Sequence, residues 1–268
     1  MIELTQITIY PVKSCKGITL TRAELTQFGL KNDRRWMVVD EQGSFVSQRV
    51  IPKMALVDPS LTDKCLVLKA LNFETIEVPY HSEVKSTRVV KIWDDVCEAE
   101  DCGEEAAEWF SEFLGVASRL VTMGNTFSRS VDTEYSKHRD QVSFADSFPL
   151  LLISSASLRD LNVRLDLPVP MNRFRPNLVV SGCEPYAEDR WRRFSLGKLT
   201  FEVSKPCARC TVPTVDQMTG RKGTEPLTTL ATYRKGNGND VFFGQNLVNE
   251  QKSGELVVGM EVSILDHV

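Results

Sequence analysis

Short strand-like runs dominate this chain and restrict the folds that it can adopt. They alternate apolar with polar residues or are rich in β-branched residues, and turn residues separate them. The first 120 residues contain such runs at 3–12, 35–40, 44–48, 65–70, 75–80 and 87–93, and the second half contains them at 177–182, 194–204 and 255–265. The apolar faces of these strands must be buried in sheets or barrels, so the sequence predicts a β-rich protein.

Helical periodicity is confined to two convincing segments. Residues 103–114 place Phe110 and Leu114 on one face, with acidic residues in the first turn, where they complement the helix dipole. Residues 155–165 place leucines on one face behind serine caps. We interpret Trp109 and Phe110 as core residues. Because helices do not alternate regularly with strands, the pattern favours a β-rich α+β fold over a doubly wound nucleotide-binding fold.

The polarity of residues 123–142 suggests a division of the chain. This stretch includes RSVDTEYSKHRD and is typical of a surface loop between two structured halves. We therefore predict two packed domains, residues 1–122 and residues 123–268. The glycine-containing string GNGNDV at 236–241 lacks the third glycine of a dinucleotide-binding loop, and we predict a hairpin or surface turn there.

Composition excludes some classes of protein. The 268 residues carry a net charge of −4, which argues against a binder of nucleic acid polymers. No apolar run approaches the length of a membrane-spanning helix, and the first residues lack the basic and apolar regions of a secretory signal. Seven cysteines without a disulfide-scaffold rhythm suit a reducing compartment. We expect a cytoplasmic protein, and a monomer, because no pattern signals self-association.

Two cysteines in the string KPCARCTVPTVDQMTG are the first candidates for chemistry. Cys207 and Cys210 flank Arg209, and a neighbouring cation favours the thiolate form, which is both nucleophile and ligand for soft metals. A structural zinc site would need two more ligands, for which Cys97 and Cys102 are the nearest pair. A thioredoxin-like redox pair and two buried loop cysteines are the other interpretations. The motif alone leaves these alternatives open.

Several further strings occur in a characteristic order with that motif. They are YPVKSCKG at 10–17, NDRRW at 32–36, SFADSFPLLLIS at 143–154, NRFRPNLVVSG at 172–182 and YAEDRW at 186–191. Together they resemble the MOSC family, the molybdenum cofactor sulfurase C-terminal domains, in the branch that contains the amidoxime-reducing component. The resemblance extends over nearly the whole chain. It implies a MOSC β-barrel with a strand-rich N-terminal MOSC-associated domain packed against it.

The resemblance also implies a cofactor and its ligands. Family members bind a molybdenum cofactor, a Mo-pyranopterin, and a cysteine at the position of Cys210 coordinates the metal as the catalytic ligand. The matching cofactor-binding positions, together with two nearby arginines, are Lys13, Ser14, Arg34, Arg49, Asp146, Ser147, Arg175, Asn177 and Arg209. Arginine suits the cofactor's terminal phosphate because its planar fork donates two hydrogen bonds at once. We expect Cys207 to be a supporting loop residue and 186–191 to pack beneath the site.

The expected activity is the reduction of small N-hydroxylated compounds, namely hydroxylamines, amidoximes and N-hydroxylated base analogues. The chain lacks the C-x4-C-x2-C run of a plant-type ferredoxin, so an external electron donor is expected, either ferredoxin-like or a flavin reductase system. An alternative is a carrier module that binds the molybdenum cofactor or holds persulfide sulfur on Cys210 without turnover.

Overall fold

The computed structural model describes residues 1–80, 86–124, 126–136, 140–236 and 238–268. Up to residue 122, its regular elements are, in chain order, β1 Glu3–Ile9, β2 Ile18–Leu20, β3 Arg22–Thr26, β4 Gly29–Leu30, β5 Trp36–Val39, β6 Asp58–Leu61, β7 Cys65–Lys69, β8 Ile76–Pro79, β9 Thr87–Ile92, β10 Asp95–Asp101, α1 Glu104–Leu114 and β11 Arg119–Thr122. The predicted runs at 65–70, 75–80 and 87–93 correspond to β7, β8 and β9, whereas 44–48 contributes only isolated bridges.

The remaining elements again consist mainly of strands. In chain order they are β12 Leu150–Ser154, α2 Ser155–Val163, β13 Leu178–Ser181, β14 Trp191–Leu196, β15 Leu199–Ala208, α3 Leu227–Ala231, β16 Phe242–Asn249, β17 Gly254–Val257 and β18 Val262–His267. The predicted β-rich α+β fold class is therefore confirmed. None of the helices in the described residues has the length and apolar character needed to cross a membrane.

The largest sheet joins both halves of the chain. Its eight strands have the order β18-β14-β15-β16-β12-β13-β1-β2. Strand β1 lies antiparallel to β13, where Ile7 pairs with Leu178, and β12 runs parallel to β13. A smaller sheet, β17-β3-β4, also combines strands from the two halves. The predicted boundary between residues 122 and 123 stays a prediction. Two sheets combine strands from both sides of it.

Two further sheets build the rest of the N-terminal half, with the orders β5-β11-β10-β9 and β6-β7-β8. Helix α1 begins after Gly103 and ends at Leu114, as the periodicity predicts, and it packs against β11 and β8. Trp109 and Phe110 lie in this hydrophobic core, exposed by 7% and 0%. Both predictions about this helix are confirmed.

The described part of residues 123–142 forms no helix or strand, in keeping with the predicted loop, but this loop is only partly at the surface. Val131 and Val142 are buried, and their neighbour Arg129 is only 6% exposed. The Arg129 guanidinium donates to the backbone oxygens of Ser143, Ala145 and Asp146, and its Nε donates to Asp95. A charged stretch resembles a solvated loop in sequence, but here the arginine stays buried because backbone carbonyls satisfy it. Residues 125 and 137–139 lie outside the described part.

The string GNGNDV forms a turn in the part that the structure describes. Lys235 bridges to Val241 in antiparallel fashion, and the Gly236 amide donates to the Asp240 oxygen at 2.9 Å. Gly238 has a φ of 78°, a conformation that glycine adopts without strain. Residue 237 lies outside the described residues. The hairpin prediction holds for the residues on either side of it.

Candidate functional site

One cavity brings together all ten residues that the sequence predicts for the site. Its empty volume is about 780 Å³, including the space at its open mouth. The predicted residues on its wall are Lys13, Ser14, Arg34, Arg49, Asp146, Ser147, Arg175, Asn177, Arg209 and Cys210. They are spread over almost 200 positions of the chain, so only the fold can assemble them. Five of them are cations and one is a carboxylate, which leaves a surplus of positive charge.

Loops at the ends of strands supply these side chains. Lys13 and Ser14 follow β1, Arg209 and Cys210 follow β15, and Asn177 immediately precedes β13. Strands β1 and β13 are hydrogen-bonded neighbours in the eight-stranded sheet, and β15 belongs to the same sheet. The sheet thus fixes the relative positions of segments that are distant in sequence.

Three of the predicted residues have left-handed backbone conformations, which are uncommon for residues with a side chain. The φ angles are 68° at Ser14, 49° at Arg34 and 57° at Arg175. Such conformations cost about 1–3 kcal/mol each and persist where the surrounding structure imposes them, often at functional sites. Buried Asp33 stabilises the turn at Arg34, because its carboxylate accepts hydrogen bonds from the Tyr10 amide at 2.8 Å and from the Arg34 guanidinium at 2.6 Å.

Asp146 connects two cations on the cavity wall. Its Oδ1 accepts from Lys13 Nζ at 2.5 Å, and its Oδ2 accepts from Arg49 Nη2 at 2.7 Å. Burial alone would raise the pKa of Asp146, but the charges of Lys13 and Arg49 outweigh it and hold the pKa well below its usual range. Burial lowers the pKa of Lys13 to about 8, against the opposing effect of Asp146.

Arg175 is a buried cation without an ion pair among the described residues. It stacks on the Tyr10 ring at 4.1 Å and donates to the Cys15 carbonyl at 2.7 Å. Burial, together with the nearby charge of Arg34, lowers the pKa of Arg175 to about 10. The Asn177 amide oxygen accepts from Arg34 at 3.0 Å and so links the two arginine turns. The wall therefore carries positive charge that the protein only partly compensates.

The two motif cysteines both line this cavity and both are free thiols. Cys207 lies near the end of β15 and not in a loop, which corrects the prediction for that residue. Arg209 Nη1 donates to the Cys207 sulfur at 3.1 Å, and its Nη2 donates to the Phe174 oxygen at 2.7 Å. Cys210 interacts with Arg49, whose pKa it raises together with Asp146, against the lowering effect of burial.

The zinc interpretation finds no support within the described residues. Nowhere in them do three histidine, cysteine or acidic side chains form a group that could hold a metal ion. Cys97 and Cys102 belong to the β9–β10–β11 region, whereas Cys207 and Cys210 lie on the cavity wall. The cavity therefore presents two separate thiols, Cys207 and Cys210, on a wall that also carries five cations.

Sequence reasoning missed several residues of the wall and its support. Phe148, Phe174 and Asn246 line the cavity, and the first two lie inside strings that the sequence analysis quoted. No motif marks Asn246, which occupies the interior of β16. Behind the wall, buried Arg173 donates to the Pro213 oxygen at 2.6 Å and so holds the segment after Cys210. Residues 187–190 form a short 3-10 helix whose side chains do not contribute to the cavity lining that the structure describes.

Comparison with known proteins places both halves in one family. The model of the MOSC N-terminal beta barrel domain matches residues 1–117, and the model of the MOSC domain matches residues 139–263. Mitochondrial amidoxime reducing component 2 of Bos taurus is 37% identical over 246 residues, covering 86% of this chain and 72% of that protein. Mitochondrial amidoxime-reducing component 1 of Homo sapiens is 34% identical, covering 98% and 82%.

Similarity extends to a third kind of protein. Molybdenum cofactor sulfurase of Bos taurus is 30% identical over 253 residues, which cover 87% of this chain but only 29% of that protein. The resemblance stated from the sequence motifs is thereby confirmed. The chain belongs to the MOSC family and consists of a MOSC N-terminal beta barrel domain followed by a MOSC domain.

Proposed function

We propose that this chain is a molybdenum-cofactor-dependent reductase of N-hydroxylated compounds that receives electrons from a separate donor protein. The observation that carries the proposal is the convergence of Cys210 with five cations on one cavity wall. Relatives named as amidoxime-reducing components, aligned over most of the chain, support the substrate class. The similarity to a molybdenum cofactor sulfurase supports the class of cofactor.

The donor set on the wall fits a Mo-pyranopterin. This cofactor carries a terminal phosphate, a hydrogen-bonding pterin and sulfur ligands, so it requires cations, amide groups and a thiolate. The wall offers all three. In addition, the Nε atoms of Arg49 and Arg209 are buried without a hydrogen-bond partner. Buried donors in this condition are unusual in native proteins and suggest side-chain positions that a bound group would complete.

Each residue would have a distinct part in holding the group. Cys210 would coordinate the metal, while Arg34, Arg175 and Lys13 would neutralise its anionic parts. Asn177 and Ser14 would hydrogen-bond to it. When bound, the cofactor would supply the two-electron redox chemistry that the reduction of an N–O bond requires.

The net reaction defines what else is required. The N–O bond of the substrate breaks, and the reaction consumes two electrons and two protons. Its products are the N–H compound and water, which contains the oxygen of the substrate. The electrons come from the external donor, and the protons reach the site from solvent through the open mouth of the cavity. The contribution of the chain is to fix the thiol beside Arg49 and to hold Asp146 ionised between its two cations.

A turnover assay tests the proposal. Protein produced in cells that make molybdenum cofactor would receive benzamidoxime and a reduced viologen dye, and benzamidine would be measured by chromatography. We expect wild type to form benzamidine and Cys210→Ala to fall to the rate of the dye alone. Cys207→Ala is the matched control, because it removes the other thiol of the same cavity. Turnover by Cys210→Ala at the wild-type rate would refute the proposal.

The carrier interpretation makes a different prediction in the same assay. The thiols and cations of the wall would hold a cofactor or a persulfide whether or not substrate is converted. A carrier would contain molybdenum and pterin, or a persulfide on Cys210 that mass spectrometry detects, and yet would form no benzamidine with any of several N-hydroxylated compounds.

A further inference from the structure

A second cavity shares no lining residue with the first and has no part in the proposed reaction. Its empty volume, including the space at its open mouth, is about 850 Å³, against about 780 Å³ for the first cavity. Arg35 lines it, together with residues that follow β3, β8 and β11. Arg35 is the second arginine of the string NDRRW, and its neighbour Arg34 lines the first cavity instead. The cavity therefore contains the one cation of that string that the MOSC site leaves unused.

Arg35 is poorly compensated within the described residues. No carboxylate of that part of the chain lies within ion-pair distance of it. Its Nη2 donates to Thr26 Oγ1 at 2.9 Å, its Nη1 makes only a 3.8 Å contact with the Met123 sulfur, and its Nε is buried without a partner. Each terminal nitrogen carries two N–H groups, so each retains one for another acceptor. Burial lowers the pKa of Arg35 to about 10, with Asp33 opposing it only in part.

Four aromatic side chains line this cavity. The ring centroids of Phe28 and Phe127 lie 6.1 Å apart, and those of Trp36 and Tyr80 lie 5.6 Å apart. The Arg35 guanidinium stacks over the Phe28 ring at 4.7 Å. Aromatic faces prefer flat apolar ligands, and a single guanidinium with three free N–H groups suits one carboxylate.

We propose that this second cavity binds a small planar aromatic carboxylate, whose ring contacts the aromatic side chains of the lining and whose carboxylate accepts from Arg35. The ligand supplies the counter-charge that the described residues do not provide. The same contacts would disfavour a neutral aromatic amide, which leaves the cation uncompensated, and an aliphatic carboxylate such as acetate, which leaves the rings uncovered.

Calorimetric titration with benzoate tests the proposal, with benzamide and acetate as matched comparison ligands. We expect saturable binding of benzoate with a Kd of about 1 mM or below and at least about tenfold weaker binding of both comparison ligands. Arg35→Met, which keeps an unbranched side chain but removes the charged guanidinium, should weaken benzoate binding about tenfold. Arg22→Met, at an exposed surface ion pair, is the control and should bind like wild type.

Three results would overturn the proposal. They are the absence of saturable benzoate binding, equal affinity for benzamide, and unchanged benzoate affinity in Arg35→Met. The last result would also be obtained if benzoate occupied the cationic first cavity. The benzamide comparison uses unmodified protein, so equal affinity for benzamide overturns the proposal even if Arg35→Met fails to fold, which far-ultraviolet circular dichroism would reveal.

Discussion

Gln48 and Gln217 exchange amide hydrogen bonds across the two halves of the chain. Gln48 Nε2 donates to Gln217 Oε1 at 3.1 Å, and Gln217 Nε2 donates back to Gln48 Oε1 at 2.9 Å. Gln48 Nε2 also donates to the Ser14 carbonyl at 2.7 Å. Both side chains are buried, and one precedes the 3-10 turn at 52–56 while the other follows Cys210. The pair therefore connects the turn at Ser14 to the segment that follows Cys210.

The losses of stability in the two single variants should add up to more than the loss in the double variant. Gln217→Leu leaves the Gln48 amide partly unsatisfied, and we expect a loss of about 1–3 kcal/mol in the free energy of unfolding. The double variant with Gln48→Leu should lose less than the sum of the single losses, because neither glutamine amide is then left facing a leucine. Denaturant unfolding of all four proteins gives the coupling, and exposed Gln42→Leu is the control. Strict additivity would contradict the pairing.

Lys13 should impose a pH dependence on stability in protein prepared without cofactor. Burial lowers its pKa to about 8 from 10.5, so between these values the unfolded chain binds more protons than the folded chain. Stability contributed by this group therefore rises with pH across that interval. We expect the difference in unfolding free energy between wild type and Lys13→Met to increase as pH rises from about 8 to about 10. A decrease over that range would contradict the burial argument.

Asp101 should stabilise the N-terminal half through its ionised form. Burial raises its pKa, but hydrogen bonds from Arg119, the Gly103 amide and Arg88 outweigh this and lower it to about 2 from 3.8. The shift corresponds to about 2 kcal/mol, present above pH 4 and lost as pH falls toward 2.

The variant that tests this is Asp101→Asn, compared with wild type by urea unfolding at neutral and acidic pH. We expect a deficit of about 2 kcal/mol at pH 7 that shrinks as the wild-type carboxylate is protonated. Asp63→Asn, at an exposed position, should change stability by no more than about 0.5 kcal/mol. A deficit that stays constant down to pH 2 would point to packing and not to charge.

Arg49 should matter for activity more than for folding. It contacts Asp146 and Cys210 and stacks on the Trp93 ring at 4.5 Å, so it sets the surroundings of the proposed metal ligand. Loss of such a supporting contact typically lowers metal affinity or activity about 10–100-fold. We expect that loss for Arg49→Met in the benzamidoxime assay, with partial recovery in Arg49→Lys. Unchanged kinetics in Arg49→Met would remove this residue from the site.

Motifs of the sequence could predict the site because most of the strings carry site residues in segments that the fold brings together on one cavity wall. The supporting residues could not be predicted in the same way. A buried arginine such as Arg129 has the same sequence signal as a solvated one, since only the three-dimensional placement of carbonyl groups satisfies it. Asp33 and Gln48 likewise act through partners far away in the chain.

The same distinction applies to the strands. The partly alternating run of β1 and the short apolar run of β7 were predictable from the sequence. Strands β2 and β4 span only three and two residues, so they form through pairing with neighbours and not through their own propensity. The β16 strand contains polar Gln245 and Asn249, both buried, which hides its central place in the largest sheet.

The most direct test of the central claim is the molybdenum and pterin content of protein expressed in cells able to make the cofactor. Elemental mass spectrometry and oxidised-pterin fluorescence would compare wild type, Cys210→Ala and Cys207→Ala. We predict near-stoichiometric molybdenum and pterin in wild type and Cys207→Ala, and diminished metal in Cys210→Ala. Zinc or no metal in wild type, or equal molybdenum in Cys210→Ala, would contradict the assignment of Cys210 as the metal ligand.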